Sequence, residues 1–162
     1  MTHTIPLRLA LGLALPFAVL AGIATAESHA DKAGMAAMKA RQAHMSLYAY
    51  NLGQLGGMAK EQMPYDAQAA GAAASNLAAL ARLDQQGYWP EGTAHGEMEG
   101  SDALPEIWTS MEDFDAKSEA LVQAADTLEA QAGTDLAGLQ SAMGDVGKAC
   151  GACHKLYRKS DD

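Results

Sequence analysis

Residues 134–158, TDLAGLQSAMGDVGKACGACHKLYR, combine a helical pattern of apolar residues with a Cys-x-x-Cys-His motif. The apolar side chains recur at helical spacing, and Cys150, Cys153 and His154 fall on the same stripe. This motif is the attachment signature of a c-type haem, in which two sulfurs bond to the porphyrin and the histidine ligates the iron. A haem held in this way must lie on the side of the helix that faces the core.

Three other uses of the cysteine pair fit the sequence less well. A structural zinc site needs four ligands, and the chain has only these two cysteines. A thioredoxin-like pair would begin a helix within a βαβ unit, a pattern that the sequence lacks. A disulfide between Cys150 and Cys153 is compatible with an oxidising compartment but leaves His154 unexplained. The motif therefore predicts one covalently attached haem c, with His154 as an axial ligand of the iron.

The first 26 residues have the pattern of a cleaved signal peptide. Arg8 is the lone charge, residues 9–23 are apolar, and residues 24–26 (ATA) form a small-residue cleavage site. An uncleaved membrane anchor is the alternative, but the apolar run is short for a span and contains Pro16. Cleavage would leave one domain, residues 27–162, with no membrane insertion. Because haem is attached outside the cytoplasm, the predicted location is a bacterial periplasm.

The mature chain is strongly acidic. The full sequence has 11 Lys and Arg against 20 Asp and Glu, and loss of Arg8 leaves a formal charge of 10 − 20 = −10. This balance argues against nucleic acid or an anionic membrane surface as a partner. It suits docking to a basic patch of another protein, although acidity also keeps a small exported protein soluble.

Four helices are predicted, and no strand pattern is found. They cover residues 31–60, 67–86, 105–133 and 134–157, and residues 87–104 show no periodicity. Asp66 and Thr134 are expected to cap the second and fourth helices, and Pro105 suits the first turn of the third. Two short connections and one long one predict an all-α fold, an antiparallel four-helix bundle with the haem attached to its last helix.

With this motif on the last of four helices, the chain resembles the cytochrome c′ family, the class II c-type cytochromes. The likeness covers the mature chain. It includes Arg41-Gln42 in the first helix, MPYD at 63–66, PEIW at 105–108, GDVG at 144–147, and Tyr157-Arg158 after the haem motif. Class I cytochromes c differ because they carry the haem motif near the N-terminus.

The resemblance implies a role for Met45. Most members of the family place a bulky, non-ligating side chain opposite the histidine, and a minority place a methionine there that binds the iron. Counting from Arg41-Gln42 and from the Pro64 turn leads to Met45 by both routes, so this chain resembles the low-spin, methionine-ligated branch. The alternative is a core methionine, because five methionines fall between residues 35 and 63.

Other haem contacts are also implied by the resemblance. Arg41 and Gln42 would lie near a haem propionate, and Asp102 would lie near the haem edge. Arg158 either covers the proximal edge of the haem or acts only as a cation at a helix C-terminus.

The remaining histidines are not expected to bind iron. His44 falls off the stripe formed by residues 38, 45 and 52 and is predicted to face solvent or an interface. His29 and His95 are predicted to be exposed.

These features predict a one-electron carrier that is not an enzyme. No residue resembles a catalytic acid, base or nucleophile, and iron ligated by both His154 and Met45 has no open position for a substrate. The alternative is a five-coordinate haem protein that binds nitric oxide or another diatomic gas. Redox proteins are the expected partners, and a homodimer could form through the first helix, with Tyr48 and Tyr50 in the contact.

Overall fold

The structure, a computed structural model, describes residue 1 and residues 20–160. Its contacts divide the chain into two compact units, Met1–Lys32 and Ala33–Asp162. The predicted signal peptide, residues 1–26, lies largely outside the described residues. None of the helices in this described part has the length and apolar character that a membrane span requires.

The second unit is a four-helix bundle, which confirms the predicted fold class. The elements of the described chain are α1 (Leu20–Ala59), α2 (Ala67–Ala81), a 3₁₀ turn (Gln86–Tyr88), α3 (Glu106–Thr109), α4 (Met111–Gln131) and α5 (Leu136–Tyr157). The single-turn α3 stands between the long helices α2 and α4. The described residues contain no strand, and a lone antiparallel bridge joins Ala103 to Arg158.

Three of the predicted helices differ from the structure in their limits. The first helix begins at Leu20 rather than residue 31. The second helix ends at Ala81 rather than residue 86. Leu83, beyond this end, is half-exposed, so a longer helix would not be stabilised by burial of its side chain. The predicted third helix is broken at Ser110, whose backbone (φ −137°, ψ 42°) is not helical.

The caps agree with the sequence in one case and differ in the other. Asp66 accepts a hydrogen bond from the Ala69 amide at 2.8 Å and begins α2, as predicted. Asp135 caps α5, accepting from the Gly138 amide at 2.7 Å. Thr134, the expected cap, instead donates its hydroxyl to the Gln131 carbonyl.

The main core joins all four long helices. Leu55, Leu77, Leu128 and Leu139 come from α1, α2, α4 and α5 respectively, and each is completely buried. The inward face of α2 is alanine-rich, and its small side chains allow neighbouring helices to approach closely. This core occupies one part of the bundle, and the haem motif lies toward the C-terminal end of α5.

The buried side of α1 is wider than the heptad pattern indicated, and the prediction for His44 is wrong. His44 is only 4 % exposed, and its ring lies 4.7 Å from the ring of Tyr48 and 5.9 Å from that of Tyr88. Tyr48, expected in a dimer contact, is also buried, whereas Tyr50 is exposed. The difference arises because α1 packs against the core along one flank and borders a cavity along the next.

The burial of His44 predicts a pH-dependent loss of stability. Burial lowers the pKa of His44, and a hydrogen bond with the Leu80 backbone offsets part of this effect. The unfolded chain therefore binds a proton more readily than the folded protein, and stability falls as the pH drops through the unfolded value of about 6.5. We expect His44→Gln to lose less stability than wild type between about pH 7 and 5, measured by urea unfolding.

His29→Gln is the control for this measurement, because His29 is exposed. It should retain the full wild-type loss. If the wild type and His44→Gln lose the same stability between these pH values, His44 is not the group responsible for the loss.

Candidate haem-binding site

A cavity of about 500 Å³ lies between α1, α4, α5 and the segment that joins α2 to α4. Its volume is within the range of pockets that hold organic ligands and cofactors. Most of its wall is formed by aliphatic and aromatic side chains. They include Leu52, Ala81, Trp89, Ile107, Phe114, Leu121 and Ala149. The cavity can therefore enclose a large, flat, mostly apolar group.

The α5 wall carries the cysteine–histidine motif. Cys150, Cys153 and His154 all line the cavity, as expected for positions i, i+3 and i+4 of one helix. Both cysteines are half-buried free thiols, and burial raises the pKa of each. Both thiols are therefore protonated at neutral pH.

The pKa of His154 is also shifted at the cavity wall, although this residue is more exposed than the two cysteines. Desolvation, and secondarily the charge of Arg158, lower the pKa of the imidazole. His154 is therefore held in the neutral form, which is the form that ligates a metal.

The α1 wall carries Met45. Its side chain lines the cavity and is 39 % exposed. Met38, one heptad earlier, is buried in the protein at 4 % exposure, whereas Leu52, one heptad later, lines the cavity with Met45. Met38 is therefore a core side chain, whereas Met45 is not. It belongs to the part of α1 that faces the candidate haem site.

The other predicted site residues also lie on the cavity. Arg41 is buried in its wall, and Gln42, Asp102 and Arg158 reach it from more exposed positions. The structure thus brings together on one cavity all the residues that the sequence assigned to haem binding, from positions as distant as 41 and 158.

Comparison with known proteins identifies this arrangement. A family model described as Cytochrome C' matches residues 36–158. The chain belongs to the cytochrome c′ family. It is 49% identical over 149 residues to cytochrome c-554 of Cereibacter sphaeroides, a match that covers 92% of this chain and 96% of that protein.

Solved structures of the family agree with the fold. Cytochrome c' from Rhodobacter Spheriodes superposes with a TM-score of 0.76 at 37% identity, over 78% of this chain and 98% of that one. A nitric oxide complex of a leucine variant of cytochrome c prime from Alcaligenes xylosoxidans gives 0.69 at 37% identity, over 79% and 97%. Proteins of this family bind one covalent c-type haem, which confirms the predicted cofactor.

An aromatic wall in this cytochrome c′ family member was not found by sequence reasoning. The Trp89 ring lies 4.8 Å from Phe114, which lies 5.4 Å from Tyr157, and all three rings line the cavity. Trp89 lies in the segment that lacks periodicity, so no helical pattern marked it as part of the cavity wall. A tryptophan next to Pro90 in an otherwise polar stretch was the available signal.

The Tyr157 end of this aromatic wall is held by hydrogen bonds to Asp113. The Tyr157 hydroxyl donates to Asp113 at 2.7 Å, and Lys117, which also lines the cavity, donates to the same carboxylate at 2.9 Å. The bond to Asp113 raises the pKa of Tyr157 to about 12, and bonds from Tyr157 and Lys117 lower the pKa of Asp113. Tyr157 is therefore a neutral donor throughout the physiological range, and α5 is held to α4 next to Cys153.

Proposed function

We propose that this protein is a one-electron carrier whose haem iron is ligated by His154 and Met45. The observation that carries the proposal is that the Met45 side chain lines the same cavity as Cys150, Cys153 and His154. A haem with histidine and methionine ligands exchanges single electrons, and the thioether favours the ferrous state relative to a second histidine.

The chain's own residues support this role in two ways. Desolvation at the cavity wall lowers the pKa of His154, which favours the neutral imidazole that ligates a metal. Leu52, Phe114 and Leu121 contribute to an apolar wall that restricts water, and a low-dielectric surrounding favours the less charged state of the cofactor. The proposed role is electron transfer without catalysis, and it needs no catalytic acid, base or nucleophile.

The location and partners are also proposals. The predicted signal peptide and the extracytoplasmic attachment of haem support the periplasm. Residues 84–116 include nine acidic residues and no Lys or Arg: Asp84, Glu91, Glu97, Glu99, Asp102, Glu106, Glu112, Asp113 and Asp115. Because this segment forms part of the cavity wall, we expect a redox partner with a basic face, whose association weakens as the salt concentration rises.

The second candidate function is the binding of a diatomic gas. It is favoured by the likeness to a cytochrome c prime that is known as a nitric oxide complex. It requires that Met45 pack beside the iron without binding it, or detach from it readily.

The visible spectrum of the purified holoprotein separates these functions. If Met45 ligates the iron, we expect sharp low-spin bands, a far-red methionine–iron band in the ferric state, and no spectral response of the ferrous protein to carbon monoxide. A broad high-spin spectrum that shifts with carbon monoxide would overturn the proposal in favour of gas binding.

A further inference from the structure

Arg41 is a buried cation whose hydrogen bonds all reach one loop. It is 5 % exposed, and among the described residues no carboxylate forms an ion pair with it. Its Nη1 donates to the Tyr88 carbonyl at 3.1 Å and to Thr93 Oγ1 at 2.9 Å. Its Nη2 donates to the Thr93 carbonyl at 2.6 Å and to Ser101 Oγ at 2.9 Å.

These bonds use all the hydrogens of both Nη atoms. The guanidinium also lies over the Trp89 ring, with Cζ 5.0 Å from the ring centroid. The Nε–H is the donor that remains for a haem propionate. Most of what Arg41 can bind is thus protein, and a propionate contact alone does not account for its burial.

The same loop is bonded to the C-terminal end of α5. The Leu104 amide donates to the Tyr157 carbonyl at 2.9 Å, and the Lys159 amide donates to the Asp102 carbonyl at 2.8 Å. Ala103 forms the isolated bridge with Arg158. Residues 88–104 therefore form a clamp, bonded to α1 at one end and to α5 at the other.

Within the clamp, Ser101 connects the two sets of bonds. Its hydroxyl accepts from Arg41 and donates to the Thr93 carbonyl at 2.7 Å. Gln42 adds a parallel bond from Nε2 to the Gly100 carbonyl at 2.8 Å. Because Asp102 and Ala103 follow Ser101 directly, the contact made by Arg41 is continuous with the contact made by α5.

The clamp joins the two turns that carry the proposed iron ligands. Met45 lies one helical turn after Arg41 on α1, and His154 lies one turn before Arg158 on α5. We propose that Arg41 is a positioning residue, which acts through the clamp to hold the Met45 turn at its distance from the His154 turn. This inference rests on the ligation of iron by Met45 proposed above.

Two substitutions test this role, one at the hydrogen-bond donor, Arg41, and one at an acceptor, Thr93. Arg41→Lys keeps the charge but loses the planar fork that reaches Thr93 and Ser101 together. Thr93→Val removes the hydroxyl that accepts from Arg41 and donates to the Pro90 carbonyl at 2.8 Å, while the Thr93 carbonyl is kept. Thr93, at 1 % exposure, is not part of the cavity wall. A change caused by Thr93→Val therefore cannot arise from a lost contact with the haem.

We expect both variants to weaken the far-red methionine–iron band of the ferric holoprotein. We also expect the ferrous variants to give a carbon monoxide spectrum, which the wild-type protein should not give. Amide hydrogen exchange at Leu104 and Lys159 should rise together with these changes. Arg82→Lys is the control, because Arg82 bonds to Asp126 and Glu129 away from the cavity, and it should leave all three readouts unchanged.

The possible outcomes separate the two proposals. Wild-type protein without a methionine–iron band would overturn the proposed function and, with it, this role of Arg41. A band that is present in wild type and survives in both variants would overturn the positioning role alone, even if exchange at Leu104 and Lys159 rises. A band lost in Arg41→Lys but kept in Thr93→Val, with exchange at Leu104 and Lys159 unchanged in both variants, would mean that Arg41 acts on the haem without the clamp and would overturn the positioning role.

Discussion

Met45→Leu is expected to convert the holoprotein from a low-spin to a high-spin haem protein that binds carbon monoxide. Leucine nearly conserves the volume of methionine, so the packing of α1 should be retained while the sulfur is removed. Loss of the thioether should also lower the reduction potential, because that ligand stabilises ferrous iron. The measurements are the ferric and ferrous spectra, with and without carbon monoxide, and a redox titration.

Met35→Leu is a closely matched control for this change. Met35 lies on the same helix and is 38 % exposed, against 39 % for Met45, but it lies outside the cavity wall. It should leave the spectrum and the potential unchanged. A Met45→Leu protein that remains low-spin, with its far-red band intact, would show that another side chain binds the iron.

The parts of the site that the sequence predicted well are those encoded locally. In α5 the haem motif, the apolar stripe and the helical period fall within a single helix, so the placement of Cys150, Cys153 and His154 on one face follows from spacing alone. Met45 was reached differently. Its position came from the resemblance to a family, and its place on the cavity depends on how α1 packs.

The parts that were missed depend on contacts between distant positions. The clamp has no periodicity because its order comes from bonds between Arg41 and residues 47 to 60 positions away in the chain. His44 was misplaced for a related reason. A single heptad stripe describes a helix that is buried on one side, whereas α1 borders the core and the cavity on adjacent sides.

Replacement of both cysteines is expected to abolish covalent haem attachment. In the variant that combines Cys150→Ala with Cys153→Ala, acidified acetone should extract all of the haem, and the band of a haem-stained denaturing gel should disappear. Each single variant should retain a non-extractable haem through its remaining thioether, because both thiols line the cavity independently. Gly151→Ala is the control, since a Cβ at this helical position meets nothing within 4 Å.

The double variant also separates attachment from ligation. His154 and Met45 remain on the cavity wall in that protein, so haem added to the purified apoprotein should still give a low-spin spectrum although it is bound without covalent bonds. Stability should then depend on the haem concentration, because a ligand that binds only the folded state shifts unfolding by mass action. Non-extractable haem in the double variant would place the attachment elsewhere. A high-spin spectrum would mean that the thioether bonds are needed to bring the iron within reach of Met45.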